Sequence, residues 1–212
     1  MTPELAAAKK ELRALVNNRL NDMLVDRVDI SNRLYENLTT LTAIQNARVV
    51  GIFVDFRNEL PTRYFIPKLF DVPGNSAETR IVAVPFCVGK EMEFYKLDRP
   101  TVDPQTHEPT FADLEPMSFG ILEPSVSRRE LPGAIVSPQA FDVMIAPGVA
   151  FDLQGRRLGR GAGFYDRYLP KLRKDAVIIG IGYDEQLVDE VPTDENDFKV
   201  HAFVTPSLAV TF

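Results

Sequence analysis

The chain has 212 residues, 45% of them hydrophobic and 25% charged, with a net charge of −6 from 24 basic and 30 acidic side chains. A chain this long buries roughly 70% of its unfolded surface, enough for one domain with a full core, and its acidic balance argues against general nucleic-acid binding, which asks for a basic surface. The single cysteine, Cys87, excludes an internal disulfide and a thiolate metal cluster. No apolar run reaches the ~18 residues of a membrane span, and the first residues lack a signal-peptide core. The expectation is one domain over residues 1–212, in a reducing cytoplasm, with room for a local basic pocket.

Thr2-Pro3-Glu4 is a helix start: a capping hydroxyl, proline in the first turn and an acid at the positive dipole end. Leu5, Leu12, Leu15 and Met23 follow at helical spacing. A second helix is expected from about Ser31 to Ile44. RVVGIFVDF (48–56) is short, apolar and β-branched, and predicts a buried strand. A short helix is expected over 59–70, then strands over 80–88 and 92–97 joined by a tight Gly89-Lys90 turn. Residues 98–139, rich in proline and without periodicity, predict loops covering something; long loops of this kind are often lids. Strands follow at 141–152, 176–183 and 198–207, with a helix beginning at GFYDRYLPKLRK between the first two. Strands alternating with helices imply an α/β fold, a mostly parallel central sheet flanked by helices.

RLGRGAGFYDRYL (157–169) sets three glycines at every second position among two arginines. Glycine lets backbone amides approach a ligand without a β-carbon in the way. Such amides beside guanidinium groups make an anion site, with phosphate as its natural occupant. The spacing is neither G-x-G-x-x-G nor G-x-x-x-x-G-K-[ST]. The competing reading is a turn whose glycines only satisfy backbone angles. His107 and His201 have no metal-ligand partner at useful spacing and read as incidental. Cys87 reads as a small buried hydrophobe, and the acids of PTDEND as a solvated loop.

With its left flank, APGVAFDLQGRRLGRGAGFYDRYL (146–169) resembles the signature of the 5-formyltetrahydrofolate cyclo-ligase family, also called methenyltetrahydrofolate synthetases. KKELR resembles the family's Lys-x-x-x-Arg, NELPT its Glu-x-x-Thr, GILEP its Gly-Ile-x-Glu-Pro, and DEQLVDEVPTDENDFKVHAFVTP its C-terminal block. Five such segments stand in the right order. Phe164 replaces the usual tyrosine, and Ala162 stands where relatives carry lysine or glycine.

The resemblance implies an ATP- and magnesium-dependent conversion of 5-formyltetrahydrofolate to 5,10-methenyltetrahydrofolate. The N-formyl oxygen is a poor leaving group; phosphorylating it lets ring closure expel it as phosphate, so the protein's work is positioning and charge stabilisation. By resemblance, Lys9, Arg13, Arg157 and Arg160 hold ATP phosphates with Gly159, Gly161 and Gly163. Arg160, Tyr165 and Asp166 are the candidate catalytic residues, and Asp166 the candidate magnesium ligand. Glu59 matches a residue contacting the folate ring, Phe56, Met92 and Phe119 are candidates for lining its pocket, and Asp197 matches a family position. From residue types alone, Lys9 and Arg13 read as a solvated helix face, and Tyr165 equally as core. The expected partner is this small-molecule substrate, with no nucleic acid and no membrane, in a monomer or homodimer. The rival functions are a non-catalytic folate- or nucleotide-binding homologue drifted at Ala162 and Phe164, and a sugar-phosphate isomerase or acyl-CoA transferase on a similar scaffold.

Overall fold

The computed structural model describes residues 2–21, 23, 26–71, 80–117 and 120–212. Among these residues an eight-stranded sheet carries the fold. Its strands are β1 (Val49–Ile52), β2 (Ile81–Val88), β3 (Glu91–Lys96), β4 (Ile135–Val136), β5 (Val143–Ala146), β6 (Val177–Ile181), β7 (Ala202–Val204) and β8 (Ala209–Thr211), in the spatial order β8-β7-β6-β5-β1-β2-β3-β4. The five neighbours from β7 to β2 run parallel; β8 on one side and β3 and β4 on the other are antiparallel.

Parallel strands buried on both faces need apolar residues throughout, and β1 and β5 are buried at every position. Alternate residues feed two cores. Val50, Ile52, Val143, Ile145, Ile179 and Ile181 point to a face covered by helices α1 (Pro3–Asn21), α2 (Arg27–Thr39) and α3 (Thr42–Asn46), where Leu20, Leu34, Leu38 and Ile44 pack. Val49, Met144, Ile178 and Phe203 point to the other face, under Tyr168, Leu169 and Leu172.

β1 leads to its neighbour β2 on one side, while β5 and β6 build the sheet outward on the other. The carboxyl ends of β1 and β5 therefore lie side by side at a switch point, where open α/β sheets leave a crevice. Buried Asp55 closes the loop after β1: its carboxylate accepts from Arg27 Nη2 at 2.7 Å and from the Arg63 backbone N–H at 2.8 Å. Thr62 Oγ1 ties the same loop to the Phe53 carbonyl at 2.9 Å.

Several elements differ from the sequence expectation for identifiable reasons. The first helix does start at Thr2, whose hydroxyl accepts from the Leu5 N–H at 3.2 Å, but Leu15 is exposed, and Leu12, Val16 and Leu20 form the packed side. The helix expected from Ser31 to Ile44 begins earlier and is split into α2 and α3 at 40–41; Asp26 caps α2, accepting from the Val28 and Asp29 N–H groups. The expected strand 141–152 stops at Ala146, because Pro147-Gly148 turns the chain out of the sheet. Residues Ala150–Phe151 instead pair with Arg157–Leu158 in a separate antiparallel ribbon. The expected strand 198–207 is confined to Ala202–Val204 and is followed by the edge strand β8. Residues 98–139 hold two small ribbons, a helix α4 (Val126–Glu130) and the sheet strand β4.

The ribbon folds back on the sheet because glycine makes room. A Cβ on Gly180 or on Gly148 would sit 2.4 Å from the Phe151 ring, which stacks on Phe203 at a centroid distance of 4.3 Å. Gly180→Ala is expected to force this ring off its site and destabilise the protein by about 1–3 kcal/mol; urea unfolding should show a lower midpoint.

Candidate functional site

The residues after β1, β5 and β6 converge on the carboxyl edge of the sheet, and two cavities large enough for a ligand open there among the described residues. The smaller, about 300 Å³, is mostly apolar, with Phe53, Val54, Phe56, Met92, Leu122 and Phe164 on its walls. Glu59, Arg157, Arg160, Tyr165 and Asp166 bring polar groups to it. The larger, about 660 Å³, lies between α1 and the glycine-rich stretch, with Lys9, Arg13, Gly161, Asp194 and Asp197 on its rim. Gly159, Gly163 and Asp166 border both. The two spaces meet at these three residues.

The first helix reaches this place because Val16 packs with Val149, Ala150 and Leu158 of the ribbon. Arg13 Nε then donates to the Gly159 carbonyl at 2.8 Å. Lys9 is only 5% exposed and donates to Asp197 at 2.5 Å, so it does not lie on a solvated face. Asp197 also accepts from the Asp194 N–H at 2.7 Å.

Residues 159–163 form no regular element before α5 (Phe164–Tyr168) begins. Gly161 (φ 108°) and Gly163 (φ 70°) take left-handed backbone angles that a side chain disfavours. Among the described residues, no N–H from 159 to 163 donates to another backbone carbonyl, which leaves these donors for an anion. Ala162 has an ordinary φ, so glycine there would relieve no strain. Its carbonyl accepts from Arg167 at 3.0 Å, and Arg167 in turn lies 5.4 Å from the Phe164 ring.

Arg157 is 3% exposed and held on three sides. It donates to the Pro147 carbonyl at 3.1 Å and to Asp166, and its guanidinium lies 5.8 Å from the Tyr165 ring. Among the described residues its Nε has no partner. Arg160 turns to the smaller cavity rather than the larger one and pairs with Glu59 Oε1 at 2.7 Å. Glu59 also accepts from the Phe56 N–H at 3.0 Å. Burial pushes the Glu59 carboxyl above its usual value, against the Arg160 charge and the Phe56 bond. Tyr165 is half-buried, but its hydroxyl is enclosed and finds no partner among the described residues. Burial, with the Glu59 charge adding, raises the phenol well above its ordinary value.

Thus Lys9, Arg13 and Gly161 are gathered at one cavity, Phe56, Glu59, Met92, Arg157, Arg160 and Tyr165 at the other, and Gly159, Gly163 and Asp166 between them. Phe119 lies outside the described residues. Cys87 is exposed on the wall of the smaller cavity, not buried, because β2 there has passed the end of its pairing with β1 and is paired only with β3. His201 lies away from both cavities, where its Nδ1 accepts from the Ile178 N–H at 2.9 Å. The sequence reading missed Glu123 and Pro147-Gly148 on the smaller cavity and Asp194 on the larger. A proline-glycine pair ending a buried strand was the available signal for the second, and Glu123 is the glutamate of the GILEP segment, whose resemblance to Gly-Ile-x-Glu-Pro was noted without a role for the acid. No described group of three His, Cys, Asp or Glu side chains is arranged to hold a metal by itself, and Asp166, with one oxygen engaged by Arg157, keeps a second for a ligand. No described helix is long and apolar enough to cross a membrane.

Residues 5–206 match the model of the 5-formyltetrahydrofolate cyclo-ligase family. The chain is 32% identical over 174 residues to the 5-formyltetrahydrofolate cyclo-ligase of Escherichia coli K12, covering 80% of this chain and 84% of that one. It is 28% identical over 222 residues to a probable 5-formyltetrahydrofolate cyclo-ligase of Schizosaccharomyces pombe, covering 97% and 98%. The solution structure of Aquifex aeolicus 5,10-methenyltetrahydrofolate synthetase superimposes with a TM-score of 0.72 at 28% identity, over 96% of this chain and 92% of that one.

Two stability effects follow from the geometry. Asp166→Asn leaves the buried Arg157 cation without its counter-charge and is expected to cost about 3–5 kcal/mol, whereas Tyr165→Phe removes a buried hydroxyl without a partner and should leave the melting temperature unchanged or raised. Thermal unfolding of both variants checks this. Glu59 supplies a pH effect. Between its ordinary and its raised value the folded chain holds a proton that the unfolded chain has released, so its contribution to stability falls as pH rises through that window. Arg160→Ala removes the charge that opposes the shift and should extend the decline to higher pH; identical stability–pH profiles for parent and variant would contradict it.

Proposed function

The chain belongs to the 5-formyltetrahydrofolate cyclo-ligase family, and from this premise we propose that it converts 5-formyltetrahydrofolate to 5,10-methenyltetrahydrofolate with ATP and magnesium. As a member it is a ligase. The observation that carries the finer reading is the meeting of an apolar cavity and a larger, glycine-lined one that carries Lys9 and Arg13, at Gly159, Gly163 and Asp166. The apolar cavity suits a pterin ring and the larger one a triphosphate. Their junction is where a terminal phosphoryl group would face the formyl oxygen.

In this reading Lys9, Arg13 and the N–H groups of residues 159–163 bind phosphates, drawing Lys9 partly away from Asp197. Phosphoryl transfer is catalysed mainly by such positioning and charge neutralisation. Asp166, anchored by Arg157, would hold magnesium through its remaining oxygen; this ion is commonly held by one or two carboxylates together with phosphates and water, so a lone carboxylate beside an anion groove fits. When bound, the ion supplies neutralisation of the transferring phosphoryl group. Glu59 accepts hydrogen bonds from pterin nitrogens, and Arg160, paired with it, offers positive charge beside the reacting oxygen. Phe56, Met92 and Tyr165 enclose the ring and keep water from the phosphorylated formyl group. The setting is the cytoplasm.

A methenyl chromophore should appear when the protein is mixed with 5-formyltetrahydrofolate, ATP and magnesium, and should fail to appear without either ATP or magnesium. Lys9→Met is expected to raise the KM for ATP about 10-fold or more, the worth of a charge-assisted hydrogen bond, with little change in the KM for the folate. No cyclisation by the parent at saturating substrates would leave the non-catalytic binding protein as the surviving reading.

A further inference from the structure

Three carboxylates border the smaller cavity: Glu59, Asp166 and Glu123. The first two have cations of their own, Arg160 and Arg157. Among the described residues no cation pairs with Glu123; Arg129 acts on it only from beyond ion-pair distance. Glu123 sits in the middle of the strand Leu122–Pro124, whose ribbon partner is Leu114–Pro116, and it stands directly opposite Glu115. A like-charge pair facing across a ribbon is destabilising, and a half-buried carboxylate on an apolar wall adds a desolvation cost. Burial accordingly holds the Glu123 carboxyl above its ordinary value, although the Cys87 backbone and Arg129 pull the other way. Leu122 beside it lines the same cavity, so the ribbon presents an apolar contact and an acceptor together.

We propose that Glu123 is a substrate-recognition residue, its carboxylate accepting hydrogen bonds from the N–H donor edge of the pterin, the 2-amino-pyrimidinone side. This rests on the reading of the smaller cavity as the folate site. An ionised carboxylate is an acceptor with two oxygens and no donor; adjacent N–H groups on a flat ring match it two-pronged, as a guanidinium does. The ring faces then lie against Phe53, Met92 and Leu122. The cationic partner that Glu59 and Asp166 already possess is replaced, for Glu123, by the ligand.

The test measures Kd for 5-formyltetrahydrofolate by calorimetry on the full-length parent and on Glu123→Gln, alongside steady-state KM values and melting temperatures. The same titrations are repeated with a 2-desamino-2-methyl analogue of the folate. The expected result is a Kd and folate KM raised about 10- to 100-fold in the variant, with the KM for ATP, kcat and melting temperature unchanged. The parent should bind the analogue more weakly than the natural folate, and the variant should no longer distinguish the two. A variant with the parent's folate Kd overturns the proposal, as does one that loses affinity while still discriminating against the analogue. A fall in melting temperature with equal loss for both ligands assigns Glu123 a structural role and likewise overturns it. Because Kd is read without turnover, a parent that binds the folate but does not cyclise it defeats the proposed reaction and leaves this inference standing on its own data.

Discussion

The buried ion pair between Arg157 and Asp166 is the contact on which the site depends. Arg157 belongs to the ribbon, Asp166 to α5, and the carbonyl that Arg157 also engages, Pro147, ends β5. One guanidinium thus fixes three segments that no regular hydrogen-bond ladder connects. A buried pair of this kind contributes little net stability, since desolvation offsets much of the attraction, yet breaking it is costly. Its value here is positional. It holds the glycine-rich stretch between two well-packed elements while the N–H groups of residues 159–163 make no described bond to a backbone carbonyl.

The same logic separates the rigid from the open parts of the site. The apolar cavity is walled by strand ends and by a loop locked through Asp55, whose side chain is completely buried. The larger cavity is bordered instead by exposed glycines and by the acidic loop that carries Asp194 and Asp197. Preformed walls suit a rigid ring, and an open groove that carries Lys9, Arg13 and Arg167 beside glycine N–H groups suits a flexible, highly charged chain of phosphates. The Arg157–Asp166 pair lies at the boundary, with Asp166 bordering both cavities, so a charge arriving on one side changes the electrostatics of the other.

Much of this was legible in the sequence. Short β-branched runs gave β1, β2 and β6, because parallel strands buried on both faces leave little choice of residue. Resemblance to a known signature located the glycine-rich stretch, Lys9 and Glu59. Less legible was whatever depends on tertiary packing. Lys9 looked like a solvated residue because burial of its ammonium relies on Asp197, 188 positions away in the chain. Arg157 and Arg160 looked equivalent, since their spacing says nothing about which way each turns. One goes inward to Asp166 and the other across to Glu59. Strand ends at 146 and 204 were overrun because apolar composition continues past the point where pairing stops. Glu123 stood within the GILEP segment that the resemblance picked out, but an acid in a proline-rich segment carries no periodic signal, so nothing said that it faces the cavity.

The first helix has a consequence for how the molecule breathes. Along its 19 residues only Lys9 and Val16 are buried, and one of these is a lysine. Its seat on the body of the protein therefore rests on a thin apolar stripe together with polar tethers to Gly159 and Asp197. Segments held by few apolar contacts open locally at a small fraction of the global unfolding free energy. Because this helix brings Lys9 and Arg13 to the groove, whatever anion they grip also clamps the helix down, and detaching it must first release that anion. Amide exchange along residues 3–21 would then report occupancy of the groove, slowing as it fills, while the strands beneath keep their own pace.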